Sequence, residues 1–388
     1  MSDAVSTKVD PLLIPVLSAS NFVIGMGAFI VIGLLNPIAE DLALTTAAAG
    51  WIMTVYALAY AVLSPLLISV TGRVGRRRVL ATGLGLFAFA NGLASIAPDD
   101  VTLNIARVLA AAGAGMFTPV SSAVAAGLSK PERQARALAA VFFGLTLAQV
   151  VGVPAGSFVA YTFGWRTAFM VVAALAAPCL WLVWTRVPAG LSFQSVALAD
   201  LARILSNGPV MLAVLFTTTF IAAVYIPYTY MAPLLSTQMG FERNGITLAL
   251  LAFGFGAVAG NMVSGITADR IGPFKTLLGL AVAQVALMPV FSVLPLPEVL
   301  VLAMIFIWSV CGWSIMAAQQ SRLITLAPQA ASVVLSLNAA AIYIGAAIGS
   351  AIGGVVINGY GLTALGIAGS MAALLAIVHI VLSNWISP

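Results

Sequence analysis

Residues 265–272 read Gly265-Ile266-Thr267-Ala268-Asp269-Arg270-Ile271-Gly272, and residues 72–78 read Gly72-Arg73-Val74-Gly75-Arg76-Arg77-Arg78. Each stretch closes an apolar run of about 20 residues, the length that crosses the hydrocarbon core of a bilayer as a helix. Placing Arg73 on Arg270 puts Gly75 on Gly272. The same offset of 197 positions carries Gly152 to Gly349, Gly156 to Gly353 and Gly164 to Gly361. One register that matches a loop and two helices predicts two homologous halves, parallel and related by an axis along the membrane normal. Transporters are built this way, with substrate near the bilayer midplane between the halves.

Outward from those loops, the apolar runs number six on each side. The first extends from Leu12 to Leu35, too long for a signal-peptide core, and is expected to be retained. Others fall near 50–70, 79–97, 102–125, 136–160 and 167–185, then near 209–235, 246–268, 275–295, 298–321, 333–357 and 362–386. Hydropathy windows find such spans better than their ends. The reading is an all-α polytopic membrane protein with an N-terminal six-helix bundle over 11–186, a cytoplasmic linker over 187–208 and a C-terminal six-helix bundle over 209–388.

Composition excludes the soluble alternatives. Hydrophobic residues make up 62% of the 388 and charged residues 7%, against about 25% charged in soluble domains. Cys179 and Cys311 lie inside apolar runs, so no disulfide framework is implied. With the N-terminus in the cytoplasm, 13 of the 16 Lys and Arg face that side. In the first half these are Lys8, Arg73, Arg76, Arg77, Arg78, Lys130, Arg133, Arg136 and Arg186; Arg203, Arg270, Lys275 and Arg322 follow. Arg166 and Arg243 fall outside, and Arg107 lies within a span. The positive-inside rule therefore sets both termini in the cytoplasm. The basic balance reflects loop orientation and anionic lipid rather than a nucleic-acid partner.

These residues resemble the major facilitator superfamily, specifically its twelve-span drug:proton antiporter family of arabinose-efflux-like and sugar-efflux permeases. The family's motif A, roughly G-x-L-A-D-R-x-G-R-K, is matched after span two by Arg73, Gly75, Arg76 and Arg77, with Ile68 and Gly72 where Gly and Asp are usual. The second copy keeps Gly265, Asp269, Arg270 and Gly272 but carries Pro273 where Arg is usual. The resemblance implies a cytoplasmic gate at Arg73, Arg76, Asp269 and Arg270; plain positive-inside topology is the other reading. Motif B resembles Arg107-Val108-Leu109 followed by Gly113-Ala114-Gly115 in span four. The antiporter signature of span five resembles Gly144, Gly152, Pro154 and Gly156, continued by Phe163-Gly164-Trp165-Arg166. Its counterpart in span eleven is Gly345, Gly349, Gly353 and Gly354. Glycines four apart lie on one face and permit close backbone approach, which would suit surfaces that slide between the halves. In the family this signature accompanies export.

Polar residues inside the spans mark the candidate substrate or coupling site. An arginine at mid-membrane costs about 2.5–3.5 kcal/mol on insertion scales and faces a cavity or partner. Arg107 is thus expected to bind substrate or tune a coupling proton, unless it snorkels to the interface. Span seven reads Tyr225-Ile226-Pro227-Tyr228-Thr229-Tyr230-Met231-Ala232-Pro233, whose two prolines weaken the helix. Tyr225 and Tyr228 then line a pocket or join an interfacial aromatic belt. Asn21, Tyr56, Gln149, Trp313 and Asn338 complete the set, with Tyr60, Asn91, Tyr230, Asn261, Gln319 and Tyr343 as further intramembrane polar residues.

Antiporters of this family often carry a carboxylate in span one, but that position falls on Ala28, and no Asp or Glu lies mid-span. His379, the only histidine, titrates near neutrality in its unperturbed form, but belongs to span twelve, a peripheral helix in this fold. Proton coupling is therefore an implication of the resemblance. The leading expectation is a monomeric inner-membrane exporter of a small molecule, without cofactor or metal. A facilitator or uptake carrier is the alternative, and a non-transporting receptor or scaffold the distant one. An enzyme would need clustered His, Asp, Glu or Cys, which the sequence lacks.

Overall fold

The computed structural model describes residues 10–130, 133–191 and 203–386. Lys8, half of the expected linker (192–202) and both chain termini lie outside them. The regular structure is helical throughout the described residues. Among the described residues, ten helices are long and apolar enough to cross a membrane, or eleven with the bent pair Leu13–Phe29 and Val31–Asp41 as one span. Arg76–Ser95 is the twelfth; the three arginines that open it lower its hydropathy.

In chain order, span one is that bent pair, span two Thr46–Arg73, span three Arg76–Ser95, span four Asp100–Gly127, span five Arg136–Phe163 and span six Trp165–Arg186. Span seven joins Gly208–Thr229 to Met231–Met239, span eight is Arg243–Ile271 and span nine Pro273–Ser292. Span ten is Glu298–Leu326, span eleven Val333–Tyr360 and span twelve Ala364–Ile386. Several spans outrun their apolar stretches because the helix continues to a cap. Thr45 accepts from the Ala48 N–H, Asp99 from Thr102 and Asn207 from Val210, each satisfying a donor the helix leaves open.

Prolines inside spans leave carbonyls without donors, and in lipid no water relieves them. Pro37 has no N–H for the Gly33 carbonyl, which instead accepts from Ser157 of span five at 3.2 Å. Pro119 leaves the Gly115 carbonyl open, and Ser64 of span two donates to it at 2.9 Å. Span ten turns at Ser314, where the Ser264 hydroxyl of span eight accepts from the Ala317 and Ala318 amides at 3.1 and 3.3 Å. Breaks in one helix are thus repaired by hydroxyls on its neighbours.

One pair at the offset of 197 shares a backbone conformation, whereas Gly75 has φ of −55° and Gly272 +85°. Gly164 and Gly361, 197 positions apart, close spans five and eleven with φ of +89° and +82°, a region that disfavours side chains. Span one breaks at Ile30 by 42°, and span seven at Tyr230. The span-seven break accords with its two prolines; the span-one break had no sequence signal. The glycine faces differ from expectation. Gly144, Gly152 and Gly156 pack on Ser18, Met26 and Ile30 of span one, and Gly345, Gly349 and Gly353 on Thr218, Ala222 and Ile226 of span seven. They join helices within each half rather than across the seam. At the seam, Gly254 of span eight meets the Gln149 carbonyl and Val150 of span five.

Candidate functional site

Arg107 occupies the interior of the first half, 1% exposed. Its Nη1 donates to the Gly27 carbonyl at 2.6 Å and its Nη2 to the Ala28 carbonyl at 2.8 Å. The guanidinium lies 4.1 Å from the Tyr56 ring centroid, with Phe169 at 5.9 Å. These two carbonyls immediately precede the break in span one, so the fork of donors occupies backbone oxygens that an unbroken helix would keep for itself. A side chain at Gly27 would meet Phe87 and Val172 within 2.9 Å. The charge is therefore enclosed by backbone oxygens and aromatic faces from spans one, two and six.

Two polar knots lie toward the end of the bundle that carries Arg76, Lys130 and Arg270, the basic end. In the first half Asn21 donates to the Ser121 hydroxyl at 2.9 Å. In the second, Gln319 donates to Thr217 at 3.0 Å, and Thr217 to Asn338 at 2.6 Å. The first knot joins spans one and four, and the second joins spans seven, ten and eleven. Midway along the bundle, Tyr60 of span two stacks on Tyr343 of span eleven with centroids 3.7 Å apart, a contact between halves. Tyr225 meets Tyr228 edge-on at 5.4 Å, and Tyr228 stacks on Phe253 at 3.9 Å. Trp308 closes this cluster and donates to Gln284 at 2.7 Å.

Of the eight sequence candidates, Asn21, Tyr56, Arg107, Gln149 and Trp313 each keep one buried polar atom without a partner among the described residues. Leaving such an atom unmade costs about 1–3 kcal/mol, which water or a solute in the pathway would relieve. Gln149 lies in a π-helical turn, Ala148–Gly152, just before Pro154; such turns recur at functional sites. Thr217, Ser121, Gln284 and Trp308 were missed, because their partners are distant in sequence and nothing local marks them.

At the basic end Arg73 is exposed, while Arg76 is buried with its N–H on the Leu191 carbonyl at 2.9 Å. Asp269 and Arg270 are both exposed. The ion pairs Arg186 with Asp10 and Arg166 with Asp41, both among the described residues, do not include Arg73, Asp269 or Arg270. The Leu12 amide and the Arg186 guanidinium hold the Asp10 carboxyl below its usual range. At the opposite end Asp41 accepts from Arg166 at 2.5 Å and from the Trp165 indole at 3.1 Å. Nearby, Arg243 of span eight donates to Thr162 of span five at 3.2 Å and lies over Phe158.

The ring of Tyr230, buried, packs on Gly50 of span two and Gly353 of span eleven, and its hydroxyl donates to the Ser350 carbonyl at 2.8 Å. The described residues contain no cluster of three or more His, Cys, Asp or Glu fit to hold a metal ion.

The sequence model of the Major Facilitator Superfamily matches residues 17–350. The chain is 30% identical over 392 residues to the uncharacterized MFS-type transporter YtbD of Bacillus subtilis, covering 99% of this chain and 97% of that one. It is 30% identical over 368 residues to the inner membrane transport protein YdhP of Escherichia coli K12, covering 95% and 94%. Its fold is similar to that of a bacterial homolog of the human lysosomal transporter Spinster, solved in an inward-facing and unoccupied conformation. That likeness has a TM-score of 0.72 at 16% identity, over 97% of this chain and 96% of the other. Matched along most of its length by the family model and by transporters of similar size, this multi-pass membrane protein belongs to the major facilitator superfamily.

Proposed function

We propose that the protein exports a small organic molecule from the cytoplasm by alternating access between halves 11–186 and 209–388, in exchange for protons. The observation that carries this reading is where the halves meet. Tyr230 on Gly50, Gly354 beside Ala47, Arg243 on Phe158 and Leu250 beside Gly33 lie in the half of the bundle away from the basic end. With the basic loops in the cytoplasm, the pathway is closed outside and faces inward. Substrate then enters between the halves, toward the Tyr60–Tyr343 stack and the unpaired polar atoms of Tyr56, Gln149 and Trp313. Arg73, Arg76, Asp269 and Arg270 close the cytoplasmic side in the alternate state. The span-five signature supports export.

The reading takes the protein as a monomer in the bacterial inner membrane with both termini cytoplasmic. Reporter fusions at each terminus test this; external labelling of either in intact cells would reverse the orientation. A facilitator without coupling is the second reading, favoured by the absence of any mid-span carboxylate. Everted vesicles carrying the protein, offered a panel of radiolabelled sugars and aromatic alcohols with and without an imposed pH gradient, test both. Gradient-driven accumulation of a compound above vector controls is expected. Equal flux without the gradient selects the facilitator, and no flux of any compound overturns the carrier.

A further inference from the structure

Proton exchange needs a group that changes charge, and every Asp and Glu among the described residues lies outside the spans or in their terminal turns. His379 is the one side chain within the spans whose ordinary titration falls between about pH 5 and 8. Its ring bridges spans twelve and seven. Nε2 lies 2.9 Å from the Leu212 carbonyl, which only accepts, so Nε2 carries hydrogen and Nδ1 of the neutral ring is an acceptor. The Thr219 hydroxyl lies 2.6 Å from Nδ1 and 3.0 Å from the Leu215 carbonyl.

This arrangement holds either protonation state without an orphan. On the neutral ring Thr219 donates to Nδ1. When a proton arrives at Nδ1, the new N–H donates to the Thr219 oxygen, and the hydroxyl turns to donate to Leu215. The ring gains one positive charge and no hydrogen bond is lost.

The charge has basic neighbours. From span ten, Arg322, 6% exposed, donates through Nη2 to Ser383 at 2.9 Å, one turn along span twelve from His379, and its Nη1 has no partner among the described residues. Span seven offers only tyrosines as titratable groups, Tyr225, Tyr228 and Tyr230, and the turn ahead of it carries Arg203. Span nine carries Lys275, exposed in its first turn; span eleven has only Tyr343 and Tyr360. Protonation therefore sets like charge against Arg322. Arg322 lies three residues after Gln319, in the segment of span ten beyond the Ser314 turn. Gln319 is bonded to Thr217, and Thr217 to Asn338.

We propose that His379 is the proton-binding group of this carrier: a proton taken at Nδ1 repels Arg322 and shifts the lower segment of span ten, with the Gln319–Thr217–Asn338 knot that it holds. The inference rests on the carrier reading above and is tested without a substrate. Because His379 is the chain's one histidine, ring-15N labelling of the tag-free protein in lipid nanodiscs gives a single side chain to titrate.

The ring signal is expected to titrate between about pH 5 and 8 with Nε2–H retained, and Arg322→Gln to raise the midpoint. A static ring, or a midpoint unmoved by Arg322→Gln, overturns the assignment. In a background with Cys179 and Cys311 replaced, spin labels at Gln134→Cys and Lys275→Cys report the basic end. Acidification is expected to change their separation in the wild type and not in His379→Gln, whose amide retains one donor and one acceptor. The same change in both forms overturns the role of His379 and leaves the carrier reading intact. A titrating ring with no change in separation overturns the coupling to span ten. Failure of the carrier reading shows separately, as absent flux in the vesicle panel.

Discussion

Arg107 and Gly27 are 80 positions apart in the chain, and the guanidinium of one donates to the carbonyl of the other at 2.6 Å. With the neighbouring bond to Ala28, this contact stabilises the bend of span one from span four. Charge-assisted bonds contribute about 1.5–3 kcal/mol each. Arg107→Ala is therefore expected to cost about 3 kcal/mol or more, and to abolish transport. Arg107→Lys keeps the charge but not the planar fork and should fall between. Thermal unfolding in detergent together with vesicle flux checks both, and wild-type stability in Arg107→Ala would remove this contact from the account.

Ser64 and Gly115 test the repair of proline breaks. Ser64→Ala leaves the Gly115 carbonyl, already without a donor because of Pro119, buried and unpaired. A loss of about 1–3 kcal/mol is expected. Pro119→Ala restores the missing N–H, so the double variant should recover part of it. Equal stability of Ser64→Ala and wild type would show that the hydroxyl is dispensable.

Gly349 tests the packing of span eleven on span seven. A Cβ there would lie 2.8 Å from the Tyr225 Cβ and press on the Ala222 backbone. Overpacking typically costs about 1–3 kcal/mol, so Gly349→Leu is expected to lower the unfolding temperature. Gly279→Leu, where a Cβ meets nothing within 4 Å, should not. Similar losses at both sites would mean that the glycine face is not the cause.

Ala47 and Gly354 allow the closed end to be locked. A Cβ built on Gly354 lies 3.8 Å from that of Ala47, close to the mean Cβ separation of about 3.8 Å in disulfides. With Cys179 and Cys311 replaced, Ala47→Cys with Gly354→Cys should crosslink under mild oxidation. Transport should be arrested and return on reduction. Full activity of the crosslinked protein would mean that this end never opens.

The sequence by itself determined the class, the number of halves and the orientation expected of the bundle. Those properties follow from solvent: an apolar run near 20 residues must be a buried helix in lipid, and a repeat of offset 197 leaves its mark wherever both copies keep glycine or arginine. It also found Arg107, since a charge in an apolar run stands out alone. What it could not supply were the partners. The Arg107 carbonyls belong to Gly27 and Ala28, which look like any backbone. The glycine faces of spans five and eleven have the same spacing whether they meet a helix of their own half or of the other. The environment of His379 depends on Thr219 and Arg322, 160 and 57 positions away. Hydropathy is a property of one segment, whereas hydrogen bonding and packing in lipid are settled between segments, so only the assembled helices decided which polar groups meet.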